Sequence, residues 1–134
     1  MGKIVPVIEF REQLNWSDKT ILLIENDFAS TYLLTEWLNM TNAKFVIASN
    51  QDVLKLKLKL KVDLIIKGIT AVELEMGLEL IKKIKLKYAG VPIIGCSPCV
   101  FKNDIKDCCD AGCNEFLGKP VDLNMLTLII STYF

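Results

Sequence analysis

The chain has 134 residues and carries 16 basic against 16 acidic side chains, so it is formally neutral at pH 7. That length fits one domain, and 51% apolar with 24% charged residues is the composition of a folded chain rather than a disordered one. Neutrality argues against a nucleic-acid surface or a polybasic membrane patch, and the absence of histidine removes imidazole acid–base, phosphohistidine and histidine–metal chemistry.

Residues 1–18 read as a linker or N-terminal extension, with Lys3–Phe10 able to form a short edge strand because Pro6 has no N–H for a central ladder. A domain over residues 19–134 follows. Thr20–Glu25 (TILLIE) is an apolar run of the kind that forms a strand covered on both faces. Asn26 or Asp27 can cap a helix over Phe28–Asn39, where Leu33, Leu34, Trp37 and Leu38 recur at helical spacing. Lys44–Ala48 is a second strand and Asp63–Ile66 a third. Gly77–Tyr88 is a helix with Leu78, Ile81 and Ile84 on one stripe, closed by Ala89-Gly90. Val91–Cys96 is the fourth strand, Asn103–Cys109 a helix, Asn114–Leu117 the fifth strand, and Asp122 caps a last helix over Leu123–Tyr133.

Five strands alternating with helices predict an α/β fold built on a doubly wound parallel sheet, since right-handed crossovers place helices on both faces. One segment is in conflict. Leu54, Leu56, Leu58 and Leu60 alternate with Lys55, Lys57, Lys59 and Lys61, a period of two that suits a half-exposed extended segment. Its place between two parallel strands calls for a crossover helix, and a short or distorted helix is the expectation there. In such a sheet ligands bind beyond the carboxyl ends of the strands. The residues to inspect are therefore Glu25-Asn26-Asp27, Lys67-Gly68-Ile69, Cys96-Ser97-Pro98 and Gly118-Lys119-Pro120.

From about Trp16 to Tyr133 the chain resembles a response-regulator receiver domain of two-component signalling. The stretches that carry the likeness are KTILLIEND, DLII with the later GLELIKKIK, VPIIGCS, and DAGCNEFLGKPVD. The opening WSDKTILLIEND and the closing AGCNEFLGKP are most similar to receivers joined to hybrid histidine kinases, which would make the leading residues a linker remnant. The resemblance implies a flavodoxin-like, three-layer α/β/α fold with five parallel strands.

It also implies a site. In the family, an acidic pair after the first strand and an aspartate after the third bind Mg²⁺, and that aspartate accepts the phosphoryl group. A serine or threonine after the fourth strand and a lysine after the fifth hold the phosphoryl oxygens. In this chain the acidic pair falls on Glu25 and Asn26, with Asp27 one step on; the hydroxyl falls on Ser97 and the lysine on Lys119. The phosphoacceptor column falls on Gly68, with Lys67 or Ile69 in the neighbouring registers, and none of these can carry an acyl phosphate. The following ITAVELEM also lacks the usual Met-Pro. With two carboxylates missing, Mg²⁺ binding is expected to be weak or absent, and a contact among Lys67, Lys119 and Glu25 is expected in its place.

The resulting expectation is a non-enzymatic pseudo-receiver in the cytoplasm, with no cofactor. It would act through protein partners, either a histidine kinase or another signalling protein, and not through nucleic acid or membrane. A homodimer through the Asn103–Tyr133 face is a further expectation. Two other readings stay open: a phosphorelay receiver using Asp27 or Glu25 as acceptor, and a redox or zinc protein using Cys96, Cys99, Cys108, Cys109 and Cys113. Free cysteine is by default a small buried apolar residue. Trp16 and Trp37 read as packing residues, and Tyr133-Phe134 as apolar surface at the end of the last helix.

Overall fold

Strands that are apolar on every residue need cover on both sides, and the chain supplies it. The computed structural model describes residues 14–58, 61–70 and 74–134. In chain order the elements are β1 (Thr20–Ile24), α1 (Phe28–Thr41), β2 (Lys44–Ala48), a short 3-10 turn (Val53–Lys55), β3 (Leu64–Gly68), α2 (Leu74–Lys87), β4 (Ile93–Ser97), α3 (Lys102–Ala111), β5 (Glu115–Gly118) and α4 (Leu123–Ser131). The five strands make one parallel sheet in the order β2-β1-β3-β4-β5. This is the expected doubly wound, flavodoxin-like fold, with element ends displaced by a few residues, as fraying allows.

Alternate strand residues feed two cores. Ile21, Leu23, Leu64, Ile66, Ile94 and Cys96 pack under α1 and α4, against Leu34, Trp37, Leu38, Leu126 and Ile130. Leu22, Ile24, Ile65 and Ile93 pack on the other face against Ile81 and Ile84 of α2, Cys108 of α3 and Val53. The first core is tied by Trp37 Nε1 donating to Thr127 Oγ1 at 3.0 Å, which satisfies the indole where water cannot reach.

The chain joins this core before Lys19. Trp16 is buried, meets Trp37 edge-on at a centroid distance of 5.9 Å, and donates its N–H to the Thr41 carbonyl at 3.0 Å. Phe134 packs on Trp16 at 5.1 Å, so this aromatic ring closes the core rather than extending a surface; Tyr133 is the exposed one, its hydroxyl bonded to Glu115. Lys3–Phe10, read above as an edge strand, lies outside the described residues.

The lysine–leucine stretch corrects the helix expectation. Only Val53–Lys55 turns, and no helix is found among the described residues 56–58 and 61–63. Leu56 and Leu58 are half-buried on the α2 core while Lys55, Lys57 and Lys61 are exposed. The local period of two therefore decides the conformation. The backbone finds partners outside a helix: Lys87 Nζ, from the end of α2, donates to the carbonyls of Leu54 and Leu56 at 2.8 and 2.6 Å. The alternation predicts unequal costs. By urea unfolding, Leu58→Ala should lose about 1 kcal/mol, while Lys57→Ala stays within about 0.5 kcal/mol. Equal losses would indicate that the leucines are not the buried face.

Candidate functional site

Because all strands are parallel, their carboxyl ends share one edge. The strand order reverses between β1 and β3, so the crevice lies there. The register places Ile24 opposite Lys67 and Gly68 opposite Cys96, which brings Glu25 beside Gly68 one step beyond the ladder.

Glu25 is 5% exposed, and its carboxylate is held by four contacts. Oε1 accepts from the backbone N–H of Asn26 and of Asp27, both at 3.0 Å, and from Lys119 Nζ at 3.2 Å. Oε2 has Lys119 Nζ at 3.0 Å as an ionic neighbour and takes no aligned hydrogen bond. The carboxylate lies directly over Gly68. A Cβ built on that glycine would stand 1.7 Å from Glu25 Oε2 and 2.3 Å from its Cδ. No side chain can occupy position 68 while Glu25 sits here, and the missing Cβ is what lets the carboxylate in.

Lys119 follows β5, where its N–H donates to the Ser97 carbonyl at 2.9 Å and its bond to Pro120 is cis. The hydrogen bond to Ser97 holds the stem from which the Lys119 ammonium reaches back to Glu25. Ser97 is fully buried at the end of β4, and its Oγ accepts the Cys99 N–H at 3.1 Å, holding the turn after the strand.

The other members of the acidic stretch face elsewhere. Asn26 Oδ1 accepts from the Asn50 N–H at 3.2 Å and ties the β1–α1 loop to the loop after β2. Asp27 is the N-cap of α1, accepting from Ser30 N–H at 3.3 Å and Ser30 Oγ at 2.6 Å. Those Ser30 bonds hold its carboxyl below the usual carboxylate range, above all the hydroxyl's; the Lys119 charge pulls the same way, against partial burial. The expected three-way contact is built by Lys119 and Glu25, whereas Lys67 is wholly buried with its ammonium on the Gly68 carbonyl. A lysine at that depth was not legible in the sequence, where KG at a strand end gives no sign of which way the long side chain turns.

Cys96, Cys108 and Cys113 sit in the core layers. Burial pushes the thiols of Cys96, Cys108 and Cys113 up to about 12, 11 and 12, so each stays protonated and a poor nucleophile or ligand. All five are free thiols, and only Cys109 is exposed. Among the described residues no group of three or more Cys, Asp or Glu is placed to hold a metal ion, and no helix is long and apolar enough to cross a membrane.

Comparison with known proteins was made against this geometry. The family model of the response regulator receiver domain matches residues 21–131. The fold is similar to a response regulator from Thermotoga maritima at 19% identity, over 86% of this chain and 96% of that one, with a TM-score of 0.73. It is similar to the Vibrio cholerae chemotaxis protein CheY4 at 16% identity, over 87% and 98%, with a TM-score of 0.75. A third similar structure is a Saccharomyces cerevisiae complex of the histidine phosphotransfer protein Ypd1 with the receiver domain of Ssk1, at 18% identity over 86% and 88%, TM-score 0.68. No curated protein matches the chain.

The ion pair sets a testable asymmetry. Lys119→Met leaves a buried carboxylate without its cation and should cost about 3 kcal/mol of unfolding free energy. Adding Glu25→Gln to that variant removes the orphaned charge and should recover more than half of the loss, as read by chemical denaturation. A double variant no more stable than Lys119→Met alone would show that the two side chains are not coupled.

Proposed function

The chain belongs to the response regulator receiver domain family, and on that premise we propose that it is a pseudo-receiver: a non-enzymatic module of two-component signalling without a phosphoacceptor, working by protein–protein contact. One observation carries the reading. The place where the side chain of residue 68 would begin is filled by the Glu25 carboxylate, already paired with Lys119. An acyl phosphate needs a carboxylate open to in-line attack beside a cation that can take up the developing charge. Here Gly68 offers no side-chain oxygen, and Lys119 is paired with Glu25.

The same geometry argues against resident Mg²⁺. That ion asks for near-octahedral oxygen ligands. Glu25 spends both oxygens on Lys119 and the loop amides, Asn26 is turned to Asn50, and Asp27 caps α1. The reading with Glu25 or Asp27 as acceptor is weaker for the same reasons: the Glu25 side chain is 0% exposed and Asp27 Oδ2 is bonded twice by Ser30. The raised thiols weigh against a redox or zinc role in the same way.

A hybrid histidine kinase origin rests on the WSDKTILLIEND and AGCNEFLGKP stretches. A kinase or another signalling protein is the proposed partner, and the free thiols suit a reducing cytoplasm. The Asn103–Tyr133 face, with Ile105, Met125, Leu128 and Tyr133 exposed, is proposed for self-association. With no phosphoryl group to bias it, such a domain responds only to what binds it. The test is incubation with acetyl phosphate and excess Mg²⁺, followed by intact mass measurement. The protein should show no phosphoryl adduct; a stoichiometric, hydroxylamine-labile adduct would overturn the reading.

A further inference from the structure

At the amino edge of the sheet, away from the Glu25–Lys119 pair, a pocket of about 410 Å³ opens between the lysine–leucine stretch and the end of α2. That is the size of a small-molecule site, which is typically mostly apolar with a few convergent polar groups. Leu56, Leu58, Val62 and Val91 supply aliphatic walls, and the polar groups of the lining are Lys57, Lys61, Lys87 and Tyr88.

All three charges in the lining are positive, and no carboxylate is among its residues. Lys57 and Lys61 are exposed and form no ion pair among the described residues. Lys87 spends its three N–H donors on the carbonyls of Val53, Leu54 and Leu56 at 3.3, 2.8 and 2.6 Å, so its charge is answered by no carboxylate. Just outside the lining, Lys85 adds a fourth positive charge, 3.4 Å from the Val91 carbonyl. The flanking Asp52 and Asp63 carboxylates are turned to Ser49 and Thr20. The end of α2 brings about half a negative charge. Four positive charges against about two and a half negative leave an excess of positive sign.

A second observation selects the same sign. Tyr88 is half-buried, and its hydroxyl is closed to solvent with no hydrogen-bond partner. Burial raises its pKa, so the phenol keeps its proton and remains a donor. A buried donor without an acceptor calls for one, and an anion supplies it. The aliphatic walls call for a body without polar groups of its own, which sets aside nucleotides and sugars.

We propose that this pocket binds a small amphiphilic carboxylate, a medium-chain fatty acid in chemical class. Lys57, Lys61 and the Tyr88 hydroxyl meet its head, and Leu56, Leu58, Val62 and Val91 cover its chain. The inference goes beyond the pseudo-receiver reading: it uses none of the residues beyond the carboxyl ends of the strands, and the acetyl phosphate result leaves it standing either way.

The test uses the full chain labelled with ¹⁵N and four probes below their micelle thresholds: octanoate, 1-octanol, octylammonium and acetate. Amide shifts should report octanoate binding at least tenfold more tightly than octanol or acetate, with octylammonium weakest. The largest shifts should fall at Leu56, Leu58, Val62, Tyr88 and Val91. Lys57→Gln combined with Lys61→Gln changes only exposed side chains and should bring octanoate down to the affinity of octanol. Tyr88→Phe removes one oxygen and should weaken octanoate at least threefold without moving octanol. The protein should stay in solution when vesicles of phosphatidylglycerol are sedimented; sedimenting with them would make the lysines a membrane face and overturn the assignment. So would equal affinity for octanol or acetate, preference for octylammonium, shifts elsewhere, no binding at all, or either variant binding octanoate unchanged.

Discussion

The arrangement at the strand ends depends on one carboxylate lying over one glycine. Glu25 can reach its position because Gly68 has no Cβ, and it stays because two backbone N–H donors and the Lys119 ammonium converge on it. At 3.0 Å the Coulomb attraction between Glu25 and Lys119 is about 5 kcal/mol at an effective dielectric near 20. Desolvating two nearly buried ions takes back several kcal/mol. The pair is therefore modest as a source of stability and strong as a fixer of position. It binds the β1–α1 loop to the β5–α4 turn across the crevice.

The family's architecture persists here around the Glu25–Lys119 pair at the strand ends. The sheet order and the two cores are those of a receiver, and similarity to solved structures at 14–24% identity extends over most of the chain. The fold is carried by the apolar residues of β1, β3 and β4, which face the two cores in turn, and this asks nothing of the residues just beyond the strands. Those residues can change while the layers stay packed, which is why a fold alone does not fix an activity.

How much of this was legible in the sequence varies by element. β1 and β4 were plain because an uninterrupted apolar run has few other ways to be buried. Asp27 and Asp122 announced the starts of α1 and α4, and both cap them. The lysine–leucine stretch was misread because a crossover was expected to be helical. The local pattern was the better guide, since Lys87, 31 residues further on, satisfies the Leu56 carbonyl. At the site, the residue types at the strand ends were readable, including the glycine at position 68. The seat of Glu25 was not, because it depends on the β1–β3 register and on a lysine 94 residues away. Asn26 pairing with Asn50 and the pocket beside Tyr88 are likewise products of segments meeting in space.

The central claim is that Glu25 and Lys119 fill the space a phosphoacceptor and its metal would need. A crystal structure of the protein grown in excess Mg²⁺ tests it most directly. The account predicts the Glu25 carboxylate over the Gly68 Cα, Lys119 Nζ at about hydrogen-bond distance from it, and no cation between them. Octahedral density on Glu25, with Lys119 swung away and the space over Gly68 vacated, would contradict it.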